Sequence, residues 1–188
     1  MPSWAVVAPR FLDPVLALAE RIDRRARGLR AIREGGVLHL ELRRHHGAAV
    51  TLADGTVVRS GDRKGILHFD NRRVRELASD GWQTAGFREA RRDFTALARW
   101  HAAQPADARP VAYLGVTLLA PLARRLGFEI RPRERSAWTA VEDWYLRSLF
   151  ARWTRADRAR VDPRPPRLTA RQAWMSAAEL IRRHARSG

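Results

Sequence analysis

Hydrophobic residues recur along this chain with two periods, and the two periods occupy separate blocks. Between residues 12 and 33 the apolar positions lie three or four apart, which predicts a helix that begins at Asp13 and Pro14. From 36 to 70 the period falls to two, and turn residues separate the apolar runs, so this block predicts three or four antiparallel strands. After residue 70 the helical spacing returns.

The strand block gives the most specific local predictions. Within residues 37–45, Leu38, Leu40 and Leu42 alternate with Val37, His39 and Glu41, as expected of a half-buried strand. In the segment 48–58, Asp54 and Gly55 lie between two Val-containing runs, and this pair favours a hairpin turn. Residues 65–70 predict a further strand that leads directly into the helical block.

The remaining sequence predicts helices with one or two further strands, so the expected class is α+β, a small antiparallel sheet packed by several helices. The Pro-rich segment 161–168 is too short to separate two domains, and residues 1–188 are therefore expected to form a single domain. Residues 71–188 are expected to be mainly helical. The predicted helices cover 71–81, 87–103, a segment that ends at Arg125, and 136–157, and a last helix is capped by Thr169. A strand is predicted at 128–131.

Charge narrows the classes of partner. The formal net charge is +16, and Lys64 is the single lysine among 36 Lys and Arg residues. Such basicity suggests nucleic acid, a membrane surface or an acidic polymer as partner. Codon bias towards arginine explains the missing lysines but not the excess of basic over acidic residues. The arginines are spread over nearly every segment, which argues against a single nucleic-acid-binding block.

Composition also limits compartment and cofactor. The chain has no cysteine, so disulfides and thiolate metal sites are excluded. No apolar run approaches the length that spans a bilayer, and the first residues lack the order of a signal peptide. The expected location is the cytoplasm, either free or peripheral to a membrane. No cofactor and no metal are predicted.

The stretch SGDRKGILHFDN at 60–71 carries the densest chemistry. His68 and Asp70 are two positions apart and share a face, and they could meet Asp62 if the preceding turn folds back over them. That trio makes Asp62, His68 and Asp70 the catalytic candidates, as an acid–base pair or as metal ligands. The alternative is structural: Gly61 and Asp62 form a turn, and Asn71 caps the following helix.

Two basic clusters could line such a cleft. Arg43 and Arg44 lie beside a pair of histidines, and Arg131 and Arg133 follow the strand-like run at 128–131. The candidate ligand-binding set is therefore Gly61, Asp62, His68, Asn71, Arg43, Arg44, Arg131 and Arg133. None of the common phosphate-loop, dinucleotide, nucleophile-elbow or zinc-protease motifs is present.

Several of these segments, taken in order, resemble the YkoP-like domain family of bacteria. The similarity covers residues 37 to 185 and includes the final WMSAAELIRRH. The resemblance implies a domain of unassigned activity that occurs alone or fused behind polysaccharide deacetylases. No catalytic residues and no deacetylase activity are implied for this chain. The most specific matching residues are Asp54, Gly55 and Thr56; Gly61, Asp62, Leu67, His68 and Asn71; and Leu126, Gly127, Phe128 and Glu129.

Three hypotheses follow from these observations. The first is an accessory domain of envelope polysaccharide or lipid-linked sugar metabolism that recognises an anionic, sugar-bearing ligand or a membrane surface. The second is a nonspecific nucleic-acid binder that uses its dispersed arginines. The third is a transferase-type enzyme in which Asp62 orients His68 as a general base. The sequence leaves the oligomeric state open.

Overall fold

The computed structural model describes residues 28–78, 82–133, 139 and 169–185. The chain divides into two compact units, Met1–Arg30 and Ala31–Gly188, and the site discussed below belongs entirely to the second. The described part combines a mixed sheet, a small second sheet and several helices, which confirms the predicted α+β class. The single-domain assignment for residues 1–188 stays a prediction.

Eight strands and four α-helices are described, together with one short 3-10 helix at Ala106–Ala108. The strands are β1 Arg30–Ala31, β2 Leu38–Arg44, β3 Val50–Thr51, β4 Val57–Val58, β5 Arg63–Phe69, β6 Ala112–Thr117, β7 Glu129–Arg131 and β8 Arg171–Ser176. The helices are α1 Asn71–Ala78, α2 Trp82–Ala103, α3 Ala120–Leu126 and α4 Ala177–His184.

The larger sheet has the strand order β1-β2-β5-β6-β8-β7, and β3 and β4 form a separate hairpin. β2 and β5 are antiparallel, as are β8 and both of its neighbours, but β5 and β6 run parallel. The parallel pair arises because α1 and α2 lie between β5 and β6 in sequence and return the chain to the same end of the sheet.

The two faces of the sheet have different environments. One face carries Leu40, Tyr113 and Met175 into the main hydrophobic core, where residues such as Phe94 and Leu97 of α2 cover it. The opposite face has a smaller apolar cluster, in which Leu52 and Val58 from the hairpin pack on Ala112 and Trp174. The hairpin therefore covers only part of this second face.

Four predictions about local structure need correction or lie outside the described residues. The helix over 12–33 does not extend to its predicted end, because Gly28 has a φ of 62° and Arg30–Ala31 is a strand. Its earlier part, the linker 161–168 and, apart from residue 139, the helix over 136–157 lie outside the described residues. Residues 171–176, predicted as the start of the last helix, form β8, and that helix begins at Ala177.

Candidate functional site

The second face of the sheet carries a row of polar side chains at β2 and β5. His39, Glu41 and Arg43 lie directly opposite His68, Ile66 and Lys64, respectively. Opposite residues in an antiparallel pair share a face, with Cβ atoms about 5 Å apart. The register therefore places ionisable side chains from two distant parts of the sequence within contact distance.

Glu41 is the centre of this row. It is only 3% exposed, although it is a charged residue on a sheet face. Its Oε2 accepts a hydrogen bond of 2.8 Å from His68 Nε2, and its Oε1 forms a salt bridge with Arg43 Nε. A buried carboxylate requires such partners, because desolvation without them is costly. The arrangement orients the His68 ring, whose side chain is 29% exposed.

Lys64 lies across from Arg43 and has a different environment. Its Nζ lies 3.3 Å from His45 Nδ1 and 5.9 Å from the centroid of the Trp174 ring. Among residues 28–78, 82–133 and 169–185, no carboxylate forms a salt bridge with Lys64. Partial burial lowers the pKa of this ammonium group, and the neighbouring Arg43 lowers it further.

His45 is buried immediately after β2 and has a defined orientation. Its backbone N–H donates to Asp62 O at 2.7 Å, and its carbonyl accepts from Gly61 N at 2.9 Å. Its Nε2 lies 2.8 Å from the carbonyl oxygen of Ala48, which can only accept, so Nε2 carries the hydrogen. In the neutral ring, Nδ1 therefore presents its lone pair to Lys64.

The family model of the YkoP domain matches residues 10–184, nearly the whole chain. This protein belongs to the YkoP domain family. Neither the curated proteins nor the solved structures contain a significant match. The family model confirms the resemblance drawn from the sequence, and the activity of this YkoP domain must be argued from its own residues.

Asp62 does not join His68 in this YkoP domain. β5 begins at Arg63, so Asp62 precedes one end of the strand and His68 lies near the other end. Six extended residues separate their Cα atoms by about 20 Å. The Asp62 carboxylate instead accepts from Arg59 N at 2.6 Å and closes its own turn. The predicted Asp62–His68 pair is therefore wrong, and Glu41 is the carboxylate beside His68.

Asp70 and Asn71 lie at the start of α1. Asp70 Oδ1 accepts from the backbone N–H groups of Arg72 and Arg73, at 2.9 and 3.0 Å. These are the bonds of a helix N-cap, so the capping residue is Asp70 and not Asn71, which is the first residue of the helix.

The four candidate arginines do not form one rim. Arg43 contacts Glu41, while Arg44 donates to the carbonyl oxygen of Gly61 at 2.8 Å and stabilises the turn. Arg131 is on β7, four strands from β2 in the sheet order, where it pairs with Glu129 and donates to Thr51 O. Arg133 is a partly buried residue two positions beyond the end of β7.

Glu41, Lys64 and His45 were not selected from the sequence as site residues. The alternation over 37–45 does place Glu41 on the same face as His39, but cross-strand register with β5 is needed to bring His68 to it. The lone lysine was a usable signal. In the described part of the chain, no group of three or more His, Asp or Glu side chains has the arrangement of a metal site. No described helix is long and apolar enough to cross a membrane.

Proposed function

We propose that this YkoP domain recognises an anionic, sugar-bearing ligand on the sheet face formed by Glu41, Arg43, Lys64 and His68. The main support for this proposal is that Arg43 and Lys64 lie directly opposite each other on β2 and β5. Like charges at opposite positions of a sheet destabilise it, and an anion between them would remove that cost. Glu41 forms a salt bridge with Arg43 and a hydrogen bond with His68, and no described carboxylate forms a salt bridge with Lys64.

The chemistry of the row suits a sugar with an acidic group. The two cations supply charge-assisted donors for a phosphate or carboxylate, and these bonds are stronger than neutral ones. His68, oriented by Glu41, adds a ring that can hydrogen-bond a hydroxyl group. Glu41 and His68 together also resemble a general acid–base pair. We propose binding because a reaction would require further assumptions.

The biological setting of the proposal comes from the family. The resemblance to YkoP-like domains implies an association with polysaccharide deacetylases in bacteria, and therefore with the cell envelope. We place the domain in the cytoplasm, at the membrane surface where lipid-linked sugars carry both phosphate and sugar groups. The positive charge of the chain would assist its approach to an anionic membrane.

A pair of double variants tests this proposal. Arg43→Gln with Lys64→Gln removes both cations from the site, whereas Arg88→Gln with Arg99→Gln removes two exposed cations from α2. Binding is measured to anionic vesicles that contain a polyprenyl-diphosphate-linked sugar. The site variant should lose about tenfold or more in affinity, because hydrogen bonds to charged groups contribute about 1.5–3 kcal/mol. The control should change little.

Equal losses in the two variants would contradict the proposal, because they would show that affinity depends on total charge. The same measurement addresses nucleic-acid binding, which the net charge of +16 favours. An oligonucleotide should be bound with an affinity that depends on overall charge, so both double variants should weaken it similarly.

A further inference from the structure

We propose that Lys64 is a nucleophilic amine that forms an imine with a small aldehyde bearing an anionic group, and that His45 Nδ1 accepts the proton that the amine must lose. This inference depends on the proposed function in one respect only, which is that the aldehyde bears an anionic group. The imine itself depends on Lys64, His45 and Arg43, which the fold brings together from two strands.

Two features around Lys64 ease the loss of a proton from its ammonium group. An ordinary surface lysine remains an ammonium ion because water, and often a carboxylate, stabilises its charge. Lys64 is partly buried, and its Nζ lies 3.3 Å from His45 Nδ1, a nitrogen that can take up a proton in the neutral ring. Arg43 is directly opposite on β2 and adds a second positive charge. Burial and a neighbouring cation are the two conditions that activate lysine nucleophiles in enzymes.

His45 is positioned to act as the proton acceptor. The bond from Nε2–H to Ala48 O sets its tautomer, and the backbone bonds to Gly61 and Asp62 fix the residue beside β5. Its ring also lies edge-on to Trp174, with centroids 6.3 Å apart. The turn at Gly61 and Asp62 thus positions the base beside Lys64, which gives this turn a role other than direct catalysis.

The step balances without any further reagent. The Nζ lone pair attacks the carbonyl carbon and forms a C–N bond, while the nitrogen loses one proton to His45 Nδ1. The carbonyl oxygen takes up that proton from His45. The nitrogen then loses its second proton, which completes the water that leaves as the C=N bond forms. An amine and an aldehyde are consumed, and an imine and water are produced. Arg43 would contact the anionic group of the bound aldehyde.

Because Lys64 is the only lysine, the test is unusually direct. Pyridoxal 5′-phosphate serves as the anionic aldehyde and pyridoxal as its counterpart without the phosphate. Imine formation is followed by absorbance, trapped with borohydride and located by peptide mass mapping. Because the sequence has no other lysine, the competing amine is the α-amine of the N-terminus. Nα-acetyl-lysine amide gives the reference rate of an ordinary lysine side chain.

We expect Lys64 to be labelled at least tenfold faster than the reference amine at neutral pH. This ratio to the reference should be larger for the phosphate-bearing aldehyde than for pyridoxal, whose internal hemiacetal slows its reaction with any amine. Lys64→Arg should abolish the adduct at this position, and His45→Gln should slow it severalfold. The labelling rate should rise with pH to a midpoint below 10.5, the ordinary pKa of lysine. This pH profile needs only the unaltered protein.

Labelling confined to the N-terminus, a Lys64 rate equal to the reference, or a midpoint at 10.5 or above would overturn the inference. Equal ratios to the reference amine for the two aldehydes would overturn its anionic part, and an unchanged rate in a folded His45→Gln protein would overturn the role of His45. Lys64→Arg also separates the two proposals. This variant retains the cation, so it should still bind sugar-bearing vesicles if the proposed function is correct.

Discussion

At the residue scale, Asp93 shows how one buried carboxylate positions the strand that carries the site. It is 0% exposed, and its Oδ2 accepts from Val37 N at 2.6 Å and Leu38 N at 3.0 Å, just where β2 begins. Its Oδ1 accepts from Arg33 Nε at 2.9 Å. Gly36 permits this approach, because a Cβ there would lie 2.4 Å from Asp93 Oδ1. Asp93 therefore joins α2 to the first residues of β2.

We predict that Asp93→Asn destabilises the protein by about 2 kcal/mol or more. The amide has one acceptor oxygen, so it cannot serve all three N–H donors, and a buried donor without a partner costs about 1–3 kcal/mol. Urea unfolding measures the change. The matched control is Asp107→Asn, an exposed aspartate in the short 3-10 helix, which should change little. Equal stability of the two variants would show that Asp93 is not an anchor.

The residues of the site explain why sequence reasoning found only half of it. Asp62, His68 and Asp70 are close in sequence, but along an extended strand six positions correspond to about 20 Å. The carboxylate that bonds His68 is Glu41, 27 positions earlier, and only the β2–β5 register brings it there. A single sequence provides no direct record of that register, so cross-strand partners were the part that could not be predicted.

At the element scale, helix caps explain two polar residues, one of which, Asp70, was a catalytic candidate. Asp70 caps α1, and Ser176 caps α4 by accepting from Glu179 N at 2.9 Å. Ser176 also donates to Asp54 in the hairpin, which links the Asp54-Gly55-Thr56 turn to the start of α4. These turn residues are part of the family resemblance, and the attachment of the hairpin gives them a structural role.

Two substitutions at Asp70 separate the contribution of its capping bonds to stability from the contribution of its charge. Asp70→Ala should destabilise the protein by about 1 kcal/mol, because the N-cap acceptor is lost. Asp70→Asn should keep most of the stability, because asparagine is an equally good N-cap, although it removes the acid. Thermal or urea unfolding of the two variants is compared. A larger loss for Asp70→Asn than for Asp70→Ala would mean that the charge of Asp70 matters more than its capping bonds.

The error at β8 has a physical cause at the same scale. Ala173, Trp174 and the apolar residues that follow fit helical spacing, so the whole segment was predicted as helix. In the structure Ala173 and Met175 enter the main core, while Trp174 packs in the smaller cluster on the other face. A strand buried on both faces has no polar alternation to reveal it. The Ser176-Ala-Ala-Glu179 capping box was the available signal for the true helix start.

At the scale of the whole molecule, the α+β class was predictable because it depends on the order of periodic blocks, and each block has a clear period. Two features could not be predicted: the parallel pairing of β5 and β6, and the position of the hairpin. Both depend on contacts between distant elements. The same reason applies to the site, which lies where β2, β5 and the segment after β2 meet.

Buried histidines should make the stability of the molecule depend on pH. Burial lowers the pKa of His184, whose Nε2 donates to Leu126 O at 3.0 Å, and also that of His101 beside Tyr113. In each case the unfolded chain binds a proton more readily than the folded protein does. Stability should therefore fall as the pH drops below about 6.5, the pKa of an ordinary histidine.

We predict that His184→Gln reduces this loss of stability between about pH 7.5 and pH 5.5, because glutamine keeps the donor to Leu126 but does not titrate. Urea unfolding at the two pH values gives the difference for each protein. His46→Gln, which changes an exposed histidine, is the control and should leave the pH dependence unaltered. An undiminished loss in His184→Gln would exclude His184 as a source of the acid sensitivity.

We expect a specific anion site, and not the total charge of +16, to decide what this YkoP domain binds. The most direct measurement is a salt titration of the unaltered protein against an oligonucleotide and against anionic vesicles with and without a lipid-linked sugar. We expect added salt to weaken binding to the oligonucleotide and to plain vesicles, while the preference for sugar-bearing vesicles persists at high salt. Tight oligonucleotide binding with a steep salt dependence, and no preference for the sugar, would contradict it.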